Sequence, residues 1–109
     1  MNWSVNYLPE ALDDFRRLDG SQKILVRKAI RKVCQNPLPE TEGGYGKLLG
    51  NKNGSSLSGF LKVKLRGAGL RIVYQLVRQE NNMLVIIIGM REDSEVYDAA
   101  QKRIRKHGL

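Results

Sequence analysis

The chain has 109 residues, enough for one domain with a single core. Nineteen Lys and Arg against eleven Asp and Glu leave a formal charge of +8, which points to a polyanion or an acidic partner. Aromatics at 6% are too few for a broad base-stacking sheet, one cysteine with one histidine excludes a disulfide framework and a Cys/His zinc site, and the longest apolar run, residues 83–88, is too short to span a bilayer.

In chain order, residues 2–7 read as a short strand, with Trp3, Val5 and Tyr7 alternating against polar neighbours. Pro9 opens a first helix whose apolar positions run Leu8, Ala11, Leu12, Phe15 and Leu18, and Asp19-Gly20 stops it. Ser21 is placed to cap a second helix reaching about residue 36, with a stripe of Leu25, Val26, Ala29, Ile30 and Val33. The short linker makes the two helices a hairpin. Residues 37–59 read as loop, since six of the eleven glycines fall there. Three strands follow, at about 60–65, 70–79 and 83–90, and Ile86-Ile87-Ile88 suits a covered interior strand. Ser94 is placed to cap a last helix over about 95–106. The order β-α-α-β-β-β-α predicts a single α+β domain over 1–109. In it a helical hairpin packs on a small, mainly antiparallel four-stranded sheet, with the C-terminal helix at the open face.

The surplus charge sits in two blocks. Residues 21–36 carry Lys23, Arg27, Lys28, Arg31 and Lys32 without an acid, and residues 60–79 carry five more cations without one. Strand alternation sends Leu61, Val63 and Leu65 to the core and Lys62, Lys64 and Arg66 to the other face, where Arg71 joins them from the next strand. Like charges so close repel, so their clustering makes sense where a phosphate supplies the missing charge. Lysines on an exposed strand also guard against edge-to-edge pairing. The first block reads either as a grip on RNA phosphates or as an ordinary solvated helix face.

The run K-x-K-L-R-x-x-G-x-R-x-V-Y from Lys62 to Tyr74, followed by R-x-x-S-E-V-Y from Arg91 to Tyr97, resembles the RelE family of bacterial toxins. The resemblance covers nearly the whole chain. It departs at Leu70, where an aromatic is common, and at Met90 and Asp93, which stand in place of basic residues. It implies the toxin of a type II toxin–antitoxin system, a cytoplasmic bacterial nuclease that cuts mRNA in the ribosomal A site without metal or cofactor. It also implies that Lys62, Lys64, Arg71, Arg91 and Tyr97 occupy the family's functional positions.

Metal-free RNA cleavage uses the ribose 2′-hydroxyl as nucleophile and needs a base, an acid and cations around phosphorus. The only histidine, His107, is the third residue from the end. On this reading Tyr97 is the general base, Arg91 stabilises or protonates the leaving oxygen, and Lys62, Lys64 and Arg71 hold the phosphate. Arg66 and the first basic block, Lys23 to Lys32, are expected to contact RNA, including ribosomal RNA. The resemblance further implies an antitoxin with an acidic, amphipathic segment, which also supplies DNA binding. Two other functions fit the residues less well: gyrase inhibition of the ParE type, and a non-catalytic RNA- or ribosome-binding module.

Overall fold

The structure is a computed structural model describing residues 3–52, 55–90 and 93–109. Strand β1 (Ser4–Tyr7) leads into helix α1 (Pro9–Arg16), with Pro9 in the first turn, where a missing N–H costs nothing. Helix α2 (Gly20–Val33) is capped by Asp19 and not by Ser21. The Asp19 carboxylate accepts from the Gln22 N–H at 2.8 Å, and the Gln22 side chain accepts from the Asp19 N–H at 3.0 Å. This reciprocal pair satisfies two orphan donors where a lone serine would satisfy one, and the Ser21 hydroxyl donates to Asp19 instead. Val26, Ile30 and Val33 are buried on one helical line. Leu25, expected in that stripe, is 44% exposed, because a step of one residue turns it well off the line.

Residues 37–59 are more ordered than a plain loop. They contain β2 (Lys47–Leu48) and a small hairpin, β3 (Asn51–Lys52) with β4 (Ser55–Ser56). They also bury Leu49 and Leu57 in the core. Two leucines so far apart leave no periodic trace in the sequence.

Three strands follow: β5 (Phe60–Leu65), β6 (Leu70–Val77) and β7 (Asn82–Gly89). Gly69 and Asn81, both left-handed at φ 66° and 48°, close the turns between them. The sheet has five strands in the order β1-β7-β6-β5-β2, not four, because the two-residue β2 adds an edge. The β5–β6–β7 meander is antiparallel, and β1 pairs with β7 in parallel. Ile72 to Val77 and Met83 to Ile88 are buried or half-buried, as an interior position requires.

Helix α1 packs on β7 and α2 on β5. Helix α3 (Asp93–Lys106) lies against the other face of β7. It begins one residue before Ser94, so that serine is inside the helix, and the cap position falls on residue 92, outside the described residues. The approach is close: a Cβ on Gly89 would stand 2.9 Å from Val96 Cγ2. Beyond its pairing with β1, the edge of β7 is closed by an ion pair. Asp14 of α1 accepts the Ile88 N–H at 3.1 Å, and Arg103 of α3 donates to the Ile86 carbonyl at 2.9 Å. The two side chains meet at 2.6 and 3.0 Å, which ties α3 to α1. A second clasp joins Glu10 to Lys106 and His107 at 3.0 Å. The His107 hydrogen bond is the main reason the Glu10 carboxyl falls from 4.5 to about 2. Among the described residues, no helix is long and apolar enough to cross a membrane.

Candidate nucleic-acid site on the β5 edge

Strand alternation and register build the site. Lys64 lies directly across from Arg71, Lys62 across from Val73, and Lys47 of β2 across from Lys62 on its other side. These pairs put Lys47, Lys62, Lys64 and Arg71 on neighbouring positions of three strands. Arg66 follows in the turn after β5 and is exposed.

Lys62 departs from the expected exposed face. It is only 7% exposed and is the one buried Lys or Arg among the described residues. Tyr97 of α3 covers it and is itself 1% exposed. The Lys62 ammonium donates to the Tyr97 hydroxyl at 2.9 Å and sits 5.4 Å from the ring centroid. Removing an ammonium from water costs roughly several kcal/mol, and the phenol oxygen it donates to offsets part of that. A buried, costly cation beside an open cleft is what a functional role leads one to expect.

The cleft beside this pair has a volume of about 530 Å³. It follows β5 past the point where β2 stops, and its lining takes Val63 and Leu65 from one face of the strand and Lys62 and Lys64 from the other. It therefore wraps the strand edge. Among the described residues that line it, Lys47, Lys62, Lys64, Arg66 and Arg71 contribute cations and Glu40 the one carboxylate. Such an excess of positive charge favours a polyanion.

The structure thus brings Lys62, Lys64, Arg66 and Arg71 into one cleft and attaches Tyr97 to it through Lys62. Arg91 lies outside the described residues. The α2 block divides. Lys23 and Arg27 stand over the Phe15 ring of α1, at 5.9 and 5.2 Å. Lys28 and Arg31 are exposed, and Lys32 sits 5.1 Å from the ring of Tyr45, a cleft residue. Tyr45, Lys47 and Glu40 are cleft residues that sequence reasoning missed. The signal that could have found them was an aromatic enclosed by glycines, Gly43-Gly44-Tyr45-Gly46.

The loop carrying Tyr45 is firmly held. Its N–H donates to the Asn36 carbonyl at 3.0 Å, and the Gly46 N–H donates to the Leu38 carbonyl at 3.0 Å. The buried Tyr74 hydroxyl donates to the Pro37 carbonyl at 2.7 Å, and burial pushes the Tyr74 phenol well above its ordinary pKa. A side chain at position 46 would collide with that hydroxyl, so glycine is required there. Arg78 holds the same loop from β6's end through two bonds to Glu42, at 2.9 and 2.7 Å.

No protein-family model matches the chain. It is 33% identical over 104 residues to the mRNA interferase toxin RelE of Escherichia coli K12, spanning 95% of this chain and 99% of that protein. A double mutant of E. coli toxin RelE in the free state superposes with a TM-score of 0.71 at 30% identity, covering 95% of this chain and 99% of the other. The same mutant in complex with an antitoxin RelBc peptide gives a TM-score of 0.67 at 28% identity, covering 92% and 95%. The β-α-α-β-β-β-α order with its C-terminal helix is common to this chain and those toxins.

Proposed function

We propose, since the chain belongs to the RelE family of type II toxin–antitoxin toxins, that it is an endoribonuclease that cuts message in the ribosomal A site. The observation that carries this reading is the Lys62–Tyr97 hydrogen bond at the edge of a cleft dominated by cations.

The reaction is an internal transfer. The 2′-oxygen attacks the adjacent phosphorus, the O2′–P bond forms, and the bond from phosphorus to the 5′-oxygen breaks. The products are a 2′,3′-cyclic phosphate and a 5′-hydroxyl. Tyr97 takes the 2′-proton, and an ammonium donating to the phenol oxygen stabilises the negative charge this role demands. Lys64 and Arg71, side by side across the strands, neutralise the charge that builds on the phosphoryl oxygens. Arg91 is assigned by its place in the second motif to the leaving 5′-oxygen, to which it delivers the proton that completes the 5′-hydroxyl as Tyr97 takes one from the 2′-oxygen. Tyr97 and Lys62 are both buried, so the message reaches them from the cleft side, where Lys62 is part of the wall. The ribosome positions the message, and the protein alone cuts free RNA poorly. No metal or cofactor enters any step.

The partner on this reading is an antitoxin segment carrying acids for the cleft and apolar anchors. A groove of about 280 Å³ between α1 and α3, lined in part by Leu18, Ile88, Met90, Val96 and Ala99, is the place for such anchors.

Primer extension on message incubated with ribosomes tests the nuclease reading. Wild type gives cuts at defined codon positions, and Tyr97→Phe lowers the cleavage rate about 100-fold or more. DNA damage with intact message would overturn the reading in favour of a gyrase poison. Equal cutting by wild type and Tyr97→Phe would remove Tyr97 from the mechanism.

A further inference from the structure

Of the seven aromatic side chains, Trp3, Tyr7 and Phe15 are half-buried and Phe60, Tyr74 and Tyr97 are buried. Tyr45 alone is exposed, at 46%, and it stands in the cation-lined cleft. Leaving nearly half of Tyr45 in water forfeits part of the burial that stabilises the others. Its backbone is nonetheless pinned through Asn36, and the flanking loop through Leu38, Tyr74 and Arg78. A rigid loop that presents an aromatic face beside phosphate-binding cations is the arrangement by which proteins hold an unpaired base.

We infer that Tyr45 is a stacking subsite for a nucleobase of the single-stranded message, next to the phosphate held by Lys64 and Arg71. Lys32, 5.1 Å from the ring centroid, belongs to the same subsite. Its ammonium faces the aromatic ring and adds positive charge where the backbone runs on. The cation therefore leaves the α2 block in function: Lys32 serves the cleft, whereas Lys28 and Arg31 remain on the outer surface. Stacking tolerates every base, so the subsite sets register and residence more than codon identity. This inference rests on the RNA-cutting reading above.

Two readouts separate the inference from that reading. The first is quenching of a hexaribonucleotide that contains 2-aminopurine and carries 2′-O-methyl groups throughout, so that it cannot be cut. Wild type quenches it on titration, Tyr45→Phe does the same, and Tyr45→Ala binds about tenfold more weakly with the quench lost. The second is cleavage on programmed ribosomes, where Tyr45→Ala raises KM about tenfold, leaves kcat within a few-fold, and is rescued by Tyr45→Phe. Tyr45 is exposed, so the alanine variant is expected to fold, and circular dichroism checks this. Unchanged quenching and KM in Tyr45→Ala would overturn the stacking subsite. So would a Tyr45→Phe variant as impaired as Tyr45→Ala, since the hydroxyl and not the ring would then matter. Quenching by wild type without any cleavage on ribosomes would sustain the base subsite and overturn the nuclease.

Discussion

The two basic blocks carry the same charge and have different fates. Each has five cations and no acid. On β5 and β6 a period of two, combined with antiparallel register, brings Lys62, Lys64 and Arg71 together, and α3 then buries one of them. On α2 a period of 3.6 spreads the charges around a cylinder, with Lys23 and Arg27 over Phe15, Lys28 and Arg31 on the outer surface and Lys32 beside Tyr45. Charge count alone does not distinguish a site from a surface. What distinguishes them is the loss of solvent around one member of the group.

That contrast is tested most sharply at Lys62. Lys62→Ala is expected to lower ribosome-dependent cleavage by two to three orders of magnitude, roughly the cost of removing one transition-state donor. Single-turnover kinetics on programmed ribosomes measure it, and near wild-type rates would dissolve the distinction between the blocks. A smaller effect is expected from the helix. The double change Lys28→Gln with Arg31→Gln should weaken ribosome binding several-fold and flatten its salt dependence, by a log–log slope of about 0.7 for each phosphate no longer neutralised. The rate of cleavage at saturation stays as it is. Filter binding across a salt series reads this, and an unchanged slope would return Lys28 and Arg31 to the role of solvated surface.

The smallest effect concerns the clasp at Glu10. Lys106 and His107 face Glu10, whose carboxyl is held near 2. A depressed carboxylate stabilises the fold above its ordinary value of 4.5, and that contribution is lost as pH falls toward 2. Chemical denaturation between pH 6 and 2.5 should therefore show Glu10→Gln with a shallower loss of stability than wild type and with unaltered cleavage at neutral pH. The slope shrinks without vanishing, because Asp19 and Glu42 are also depressed, by the Gln22 N–H and by Arg78 respectively. An identical pH profile would show that the clasp adds nothing to the fold.

Much of this architecture is legible in the sequence, and the reasons differ by element. The helices and the three long strands announce themselves by period, and the side-by-side placement of Lys64 and Arg71 follows from alternation across one tight turn. The burial of Lys62 does not, because it depends on α3 returning over the sheet from more than thirty residues away. Segment 37–59 hides its strands for a related reason. The two residues of β2 are recruited by β5 and show no pattern of their own, and Leu49 and Leu57 stand eight residues apart with no apolar periodicity between them. Tyr45 is hidden because a glycine-rich loop usually marks a turn, and only the tertiary bonds of that loop turn it into a platform. Leu25 and Ser21 are local departures, settled by a one-residue difference in helical phase and a two-residue difference in cap.

The parallel pairing of β1 with β7 sets a timetable for synthesis. Ser4 finds its partner Asn82 across 78 residues, so the first strand waits, unpaired, while most of the chain is made. The β5–β6 hairpin closes on near neighbours and is free to form first. Lys64 and Arg71 therefore come together through a local turn, whereas Lys62 needs a partner 35 residues away. The Lys62–Tyr97 couple is thus a late product of folding, completed only when α3 has packed back on the sheet.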